Sequence, residues 1–320
     1  MRVISILTIV VFAALTARPV IAQVSVKQYG ATGNGTTDDT AAINNAITAA
    51  RASNVQLLFP SGTYLVSGTL DFSSLNVNGS GYQNTTIAAN VAMQTSTPFD
   101  VVQTKGGTSL ANMTIDGGWR NGSTVRTGNG IATLSNPGAS PPYYGYGNVF
   151  ENLFIHNVNS SCIYINDGAY ETIRTVRCEA FGIAGLYLDS DNYPGFATTS
   201  TVVDGQSRFS SMAPALSATA GYGIFIKDGI NIAIRGVTIE STKGIYVTGI
   251  NLRELTFDSV YQEGNAGPYM TITGCGYGLS VTNSFAPGTT GIPAASVSCF
   301  GFTTFYGNTF STPPNNPNPN

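Results

Sequence analysis

Charged side chains are scarce in this chain of 320 residues. Asp, Glu, Lys and Arg make up 10% of the sequence, against about 25% in an average soluble domain. The 14 Lys and Arg residues form no cluster along the sequence, and the formal net charge is −3. Because binding to a phosphate backbone needs a concentrated basic surface, this composition argues against nucleic acid as a partner. A neutral or weakly charged glycan fits it better.

Long hydrophobic runs are also lacking after the N-terminus. The apolar segment 4–15 follows Arg2 and is succeeded by small residues that end at Ala22. It is too short to span a bilayer comfortably, and its order of positive, apolar and small residues is typical of an export signal. We therefore predict a signal peptide over residues 1–22, a secreted protein (extracellular or periplasmic) and no membrane association after cleavage. A buried first strand and a membrane anchor are the alternatives.

Cysteine is rare, with four residues in the chain, and an exported protein permits these to pair. Cys275 and Cys299 are separated by roughly one coil of the repeat described below, so we predict a disulfide between them. Cys162 and Cys178 fall in two consecutive strands, where they either pair or are simply buried. The last ten residues, 311–320, are rich in Pro and Asn and predict a disordered tail.

Glycine, tyrosine and phenylalanine are abundant, with 37, 16 and 16 residues, and indicate a β-rich chain with many turns. One amphipathic helix is predicted early in the chain, where Thr37 or Asp38 can accept hydrogen bonds from the first turn. Its apolar residues recur at helical spacing and are Ala42, Ile43, Ala46, Ile47 and Ala50.

The segment around this helix resembles a known family. Residues 26–43, VKQYGATGNGTTDDTAAI, followed by FPSGTY at 59–64, are similar to the start of the pectate-lyase-superfamily domain, which also occurs in rhamnogalacturonase- and polygalacturonase-like proteins, glucanases, epimerases and phage tailspikes. The remainder agrees only in the style of its repeat. The resemblance implies a right-handed parallel β-helix whose N-terminal end is plugged by the helix. It also implies that Asp38 and Asp39 are structural caps.

Two strand types recur in fixed order along the chain, as expected of a β-helix. The first has the pattern apolar-x-x-apolar-x-apolar-polar, and the second is a short apolar strand that follows it. We therefore predict an all-β domain over residues 23–310, a single-stranded right-handed parallel β-helix with an N-terminal capping α-helix. A flat sandwich would not need this fixed order. The first pattern begins at Leu110, Phe150, Ile173, Ile234 and Leu252, and the second at Gly130, Cys162, Gly185, Gly223, Gly244 and Tyr269.

Stacking the second strands places polar residues on a common corner just after each strand ends. Asn166, Asp189 and Lys227 fall in one column, and Asp167 and Asp228 fall in the next. Parallel strands lie about 4.8 Å apart, so carboxylates one or two coils apart are roughly 5–10 Å apart, the range used in glycoside hydrolysis. Alternatively, such side chains only satisfy backbone groups of the turns. The predicted catalytic residues are Asp167, Asp189, Asp191, Lys227 and Asp228.

Long turns on either side of this corner carry aromatic residues, which predict the walls of a groove for a sugar chain. A second column of acidic residues, with His156 among them, is either another binding surface or a solvated face. The predicted substrate-binding residues are Asn166, Tyr143, Tyr144, Tyr146, Tyr193 and Phe196, and the second acidic column contains Asp116, Glu179, Glu240 and Asp258.

The sequence departs from polygalacturonases at the positions that would be catalytic. In that family a paired Asp precedes a Cys-Ile-x-Ile strand and a Gly-His-Gly lies on the next coil, whereas this chain has Ser160-Ser161 and Ile183-Ala184-Gly185. A lyase would want a basic residue beside carboxylates, which Lys227 provides, and it could use Ca²⁺; no other cofactor and no metal ligand set is predicted.

Two functional hypotheses remain open. One is an enzyme that cleaves or modifies a polysaccharide, either a glycoside hydrolase or a polysaccharide lyase. The other is a non-catalytic glycan-binding or surface module. A trimeric phage-type fibre is a third option, against which the export signal argues.

Overall fold

The computed structural model describes residues 22–90, 99–119, 128–134, 145–190, 197–211, 221–287, 295–297 and 300–311. These residues form a right-handed parallel β-helix, which confirms the fold predicted from the repeat and the family resemblance. Within those ranges, no helix is long and apolar enough to cross a membrane. The predicted signal peptide lies outside the described residues except for Ala22, as does the predicted tail except for Ser311.

The N-terminal end of the β-helix is covered by helix α1 (Thr40–Ser53), which buries Ile43, Ala46, Ile47 and Ala50 against the first coils. A short 3₁₀ helix (Val26–Tyr29) precedes it. Both predicted caps are structural. Asp38 accepts a hydrogen bond from the Thr40 N–H at 2.9 Å, within the first turn of the helix. Asp39 instead accepts from the backbone N–H groups of Thr32 and Gly33 at 2.7 and 3.0 Å, and so fixes the loop before the helix.

The larger of two parallel sheets wraps around two sides of each coil. Its strands are β1 (Gln23–Ser25), β2 (Asn34–Asp38), β3 (Gln56–Phe59), β4 (Gly62–Val66), β6 (Asn76–Gly79), β7 (Thr85–Ala89), β9 (Ser109–Asp116), β11 (Gly145–Tyr146), β12 (Val149–Val158), β14 (Gly168–Ala169), β15 (Thr172–Phe181), β17 (Thr198–Thr199), β18 (Val202–Asp204), β19 (Arg208–Ser210), β21 (Gly229–Arg235), β22 (Thr238–Glu240), β24 (Leu252–Asp258), β25 (Tyr261–Glu263), β27 (Gly276–Thr282), β28 (Phe285–Pro287), β30 (Phe300–Tyr306) and β31 (Thr309–Ser311).

The smaller sheet forms the remaining side, with one strand from each successive coil. Its strands are β5 (Leu70–Asp71), β8 (Val102–Thr104), β10 (Ile131–Thr133), β13 (Ser161–Asn166), β16 (Ala184–Asp189), β20 (Tyr222–Ile226), β23 (Ile245–Val247), β26 (Met270–Ile272) and β29 (Ala295–Val297).

Side chains that alternate inward along these strands stack into one continuous core. Ile163, Leu186, Ile224 and Ile245 occupy equivalent positions in β13, β16, β20 and β23, and all are buried. In the coil that follows β15, the larger sheet continues as β18 and β19, which both pair with β15. Because each residue stacks on its counterpart in the neighbouring coil, the outward residues form columns as regular as the core.

The second acidic column differs from its prediction in one residue. Asp116, His156 and Glu179 are aligned in register, and Glu240 aligns with Glu263. Asp258 instead pairs with Arg235 and Thr282, so assigning it to this column is wrong. Its coil bends at Ser259, which has a left-handed backbone with φ of 54°, and the residues that follow this bend continue the column. The inward position there is a glutamine, Gln262, which the apolar pattern could not recognise.

Cys162 in β13 and Cys178 in β15 form a disulfide with Cα atoms 6.1 Å apart. Both residues are fully buried, so the bond crosses the core between the smaller sheet and the next coil of the larger sheet. The open choice between pairing and simple burial is thereby resolved in favour of pairing. Cys275 also takes part in a disulfide, and its predicted partner Cys299 lies outside the described residues.

Candidate functional site

Four aromatic side chains form one column on the outer face of the smaller sheet. They come from the same position of β13, β16, β20 and β23, because that position points outward between two buried neighbours. Ring centroids of Tyr164 and Tyr187 are 5.2 Å apart, those of Tyr187 and Phe225 are 4.5 Å apart, and those of Phe225 and Tyr246 are 5.2 Å apart. We call these four half-buried residues, Tyr164, Tyr187, Phe225 and Tyr246, the aromatic ladder.

This ladder is a feature that the sequence interpretation missed. The signal was present: Tyr, Tyr, Phe and Tyr occupy the third position of CIYI, GLYL, GIFI and GIYV in successive second strands. Strand alternation sends that position outward, where a large apolar residue recurring over four coils has no core to fill. The aromatic residues predicted to bind substrate instead follow the second strands in the sequence.

The residues predicted to form a column at the strand ends are aligned on adjacent coils. Asn166 pairs with Asp189, and the Lys227 N–H bonds to the carbonyl of Leu188, which brings Lys227 onto the coil next to Asp189. The Lys227 Nζ atom lies 3.6 Å from Asp189 Oδ1. We call Asn166, Asp167, Asp189, Lys227 and Asp228 the charged corner.

Asp189 is held by groups from three coils. The Tyr164 hydroxyl donates to Asp189 Oδ2 at 3.2 Å, and the Ser190 N–H donates to Asp189 Oδ1 at 2.8 Å. Together with Lys227 these groups leave Asp189 only 3% exposed. Its carboxylate therefore serves as the anchor that orients a phenol and an ammonium toward the outer surface.

The other two described carboxylates of the corner have different surroundings. Asp228 Oδ1 accepts from the Ile250 and Asn251 N–H groups at 2.9 and 2.8 Å, which matches the alternative interpretation of a turn-stabilising side chain. Asp228 Oδ2 accepts from the Ser190 hydroxyl at 3.3 Å, so Ser190 bridges it to Asp189. Asp167 lies in a left-handed turn with φ of 53° and is 1% exposed.

Several predicted site residues lie outside the described part of the chain. They are Asp191, Tyr143, Tyr144, Tyr193 and Phe196. Tyr146 is exposed and pairs with Ala169, two residues after Asp167, so it borders the charged corner. Asn166 is buried beside Asp189. Among the described residues, no group of three His, Cys, Asp or Glu side chains is arranged to hold a metal ion.

Glu171 is a buried carboxyl directly beneath the turn that carries Asp167. It is fully buried, and its Oε1 accepts from Asn148 Nδ2 at 3.0 Å. Burial raises the pKa of Glu171 well above its usual value, because removing a carboxylate from water disfavours its charged form. Its position inside the coil, rather than on the outer face, makes it part of the support of the corner.

Replacing Glu171 by Gln is expected to raise the melting temperature near neutral pH. Above the ordinary pKa of the unfolded side chain and below the higher pKa of the folded one, unfolding releases a proton, so stability falls as pH rises. Thermal unfolding from about pH 4 to about pH 8 should show this fall in the wild type and a flatter profile in Glu171→Gln. Glu151→Gln is the control, because Glu151 is exposed and weakly paired. If Glu171→Gln kept the pH profile of the wild type, the raised pKa assigned to Glu171 would be contradicted.

Residues 23–124 match the family described as rhamnogalacturonase A/epimerase, pectate lyase-like. The resemblance predicted from the N-terminal motifs is confirmed. The architecture is that of the pectate-lyase-like parallel β-helix proteins. No curated protein sequence matches the chain.

Solved structures extend this β-helix likeness along the chain. The Agl-KA catalytic domain has a TM-score of 0.54 at 14% identity, with 93% of this chain and 69% of that chain covered. PfbA, a surface adhesin of Streptococcus pneumoniae, has a TM-score of 0.53 at 14% identity, with 90% and 93% covered. ORF18 of Geobacillus virus E2 has a TM-score of 0.52 at 15% identity, with 90% of this chain covered; the chain spans 61% of the viral protein. At such identities the likeness shows the fold alone.

Proposed function

We propose that this β-helix protein binds a polysaccharide along the aromatic ladder and acts on it at the charged corner. One observation carries the proposal: the hydroxyl of Tyr164, a member of the ladder, donates to the Asp189 carboxylate that pairs with Lys227. The aromatic surface and the charged groups therefore form one continuous site. Aromatic rings offer apolar faces and edges to sugar rings, while the charged groups supply proton transfer and orientation.

The corner supports a lyase-type reaction better than hydrolysis by two carboxylates. Hydrolysis needs two carboxyl groups that reach the glycosidic bond, but Asp167 and Asp189 are 1% and 3% exposed and Asp228 is engaged by backbone N–H groups. Lys227 is the more accessible group, with 33% of its side chain exposed. Lys227 and Tyr164 are both held on Asp189. In an elimination on a sugar that carries a carboxyl group, Lys227 in its neutral form would accept the proton from the carbon next to that carboxyl group. The Tyr164 hydroxyl would donate its proton to the leaving glycosidic oxygen as the C–O bond breaks and a C=C bond forms.

A non-catalytic glycan-binding module is the second candidate. The burial of Asp167 and Asp189 favours it, because buried and paired carboxylates are also what a purely structural corner contains. In that case the aromatic ladder binds the glycan and no bond is broken.

Export is part of the proposal. The N-terminal order of a positive residue, an apolar run and small residues supports it. So does the Cys162–Cys178 disulfide, since such bonds persist mainly in oxidising compartments.

Replacing Lys227 by Met is expected to lower turnover by roughly 10²-fold or more, the usual contribution of a proton-transfer group, with the fold intact. The wild type is first assayed on a panel of neutral and carboxylated polysaccharides by reducing ends and by the absorbance of unsaturated products. Tyr164→Phe should lose turnover similarly. Lys105→Met, at an exposed lysine in another coil, is the matched control.

Each outcome of this assay decides between the candidates. Unsaturated product that depends on Lys227 supports the lyase, and new reducing ends without unsaturation contradict it in favour of hydrolysis. Glycan binding that is lost in Tyr187→Ala, without any product in the wild type, contradicts the enzyme and supports the binding module.

A further inference from the structure

A groove separate from the aromatic ladder and the charged corner lies on the outer face of the larger sheet, on strands β12, β15 and β19. It has a volume of about 210 Å³. It shares no residue with the aromatic ladder or the charged corner. We call it the arginine groove, and the residues that line it include Tyr82, Asn152, Phe154, Arg177 and Arg208.

The bends of successive coils set the shape of this groove. Asn152, Thr175 and Gln206 have left-handed backbones with φ of 50°, 52° and 61°, and they bend successive coils within β12, within β15 and between β18 and β19. Asn152 Nδ2 donates to Asn112 Oδ1 at 2.6 Å, so the amides of neighbouring coils are stacked along this bend. The result is a groove along the bend, lined by amide and hydroxyl groups above the buried Leu153 and Val176.

Two guanidinium groups form one wall. Phe154, Arg177 and Arg208 occupy one column in register, and the Arg177 guanidinium carbon lies 5.0 Å from the centre of the Phe154 ring. Arg177 Nη2 lies 2.6 Å from Glu179, and Arg208 Nη2 lies 2.5 Å from Glu240. Each arginine is therefore fixed by an acid.

This pairing decides the charge of a suitable ligand. Two arginines and two glutamates balance, so the wall offers donors and acceptors without a net charge. An anionic group approaching the guanidinium groups would also meet the carboxylates of Glu179 and Glu240. A sugar hydroxyl both donates and accepts, and so can bond to a guanidinium N–H and to a carboxylate oxygen together.

The opposite wall supplies an aromatic surface. Tyr82 is 40% exposed, and its backbone carbonyl accepts from the Thr114 hydroxyl, which fixes its loop on the sheet. The groove is smaller than the roughly 300 Å³ at which drug-sized pockets begin, so it suits one ring rather than a long segment. We infer that the arginine groove binds one neutral sugar residue of a glycan chain and serves as an anchoring site separate from the charged corner.

Titration with neutral and carboxylated tetrasaccharides, followed by calorimetry, tests this site. Tyr82→Ala removes the stacking surface, and Arg177→Gln removes the paired hydrogen bonds. Each variant is expected to weaken binding of the neutral tetrasaccharide at least about 10-fold. Tyr261→Ala is the matched control, because Tyr261 is also 40% exposed and outside the groove. Arg253→Gln is the second control, since Arg253 lies 5.4 Å from the centre of the Tyr277 ring in a similar pair.

The wild type gives an independent measurement that needs no variant. Hydroxyl-radical footprinting with the neutral tetrasaccharide should protect Tyr82 and leave Tyr261 unchanged. Lys227→Met should retain this protection, so failure of the proposed reaction leaves the anchoring site untouched. Stronger protection of Tyr82 by the carboxylated than by the neutral tetrasaccharide, no protection of Tyr82 by any neutral tetrasaccharide, or equal loss of binding in Tyr82→Ala and Tyr261→Ala would each overturn the inference.

Discussion

Replacing Cys162 and Cys178 together by Ala should lower the free energy of unfolding by about 3 kcal/mol, the value expected for closing a loop of this length. The two residues are 16 positions apart, and the bond ties β13 to the following coil across the core. Its loss increases the freedom of the unfolded chain and leaves two small buried gaps. Equilibrium denaturation, compared with the wild type under non-reducing conditions, measures the effect.

The single variants provide the control for this experiment. Cys162→Ala and Cys178→Ala each break the same bond, so either should cost nearly as much as the double variant. The two single effects are therefore expected to be strongly non-additive. Additive costs, or a loss below about 1 kcal/mol in the double variant, would show that the bond contributes little beyond packing.

Replacing Gly249 by Ala is expected to cost about 3 kcal/mol or more, and to reduce activity at the charged corner as well. Gly249 has φ of 120°, and an added Cβ would lie 1.8 Å from the Lys227 carbonyl oxygen and 2.3 Å from Asp228 Oδ1. Left-handed strain alone costs about 1–3 kcal/mol, and the overlap with backbone adds to it. The Lys227 and Asp228 backbone must then move.

The variant Gly236→Ala separates backbone strain from steric overlap of the added Cβ. Gly236 has φ of 59° and no heavy atom within 4 Å of its added Cβ, so this variant should cost only about 1–2 kcal/mol and keep full activity. Denaturation midpoints and turnover of both variants are compared. Equal costs would contradict the role assigned to the close approach at Gly249.

The fold was predictable because its determinants are local and repeated. The apolar stripe of α1 and the alternation in each second strand specify which side chains are buried, and stacking in register follows from the fixed order of strands. The column of Asn166, Asp189 and Lys227 was predicted on the same ground and is present. Where a polar residue takes an inward position, as Gln262 does, the pattern fails and the register could not be followed.

Contacts across the coil were less predictable than contacts along the stack. Cys162 and Cys178 belong to different sheets, so neither alternation nor the repeat indicates that their Cα atoms approach to 6.1 Å. Likewise, the position of Asp189 at the corner was predictable from the sequence. Its enclosure by Tyr164, Ser190 and Lys227 was not. Burial of a turn residue depends on side chains from other coils, which strand spacing does not encode.

Turn length and strand register are independent at the charged corner. Residue 167 alone separates β13 from β14, whereas residues 190–197 separate β16 from β17, yet Asn166 pairs with Asp189 and Ala169 pairs with Thr199. One residue inserted within β16 would instead turn Tyr187 toward the core. Insertions and deletions can therefore accumulate in these turns through evolution, or be introduced by loop grafting, while the strand register of the stacked coils is preserved.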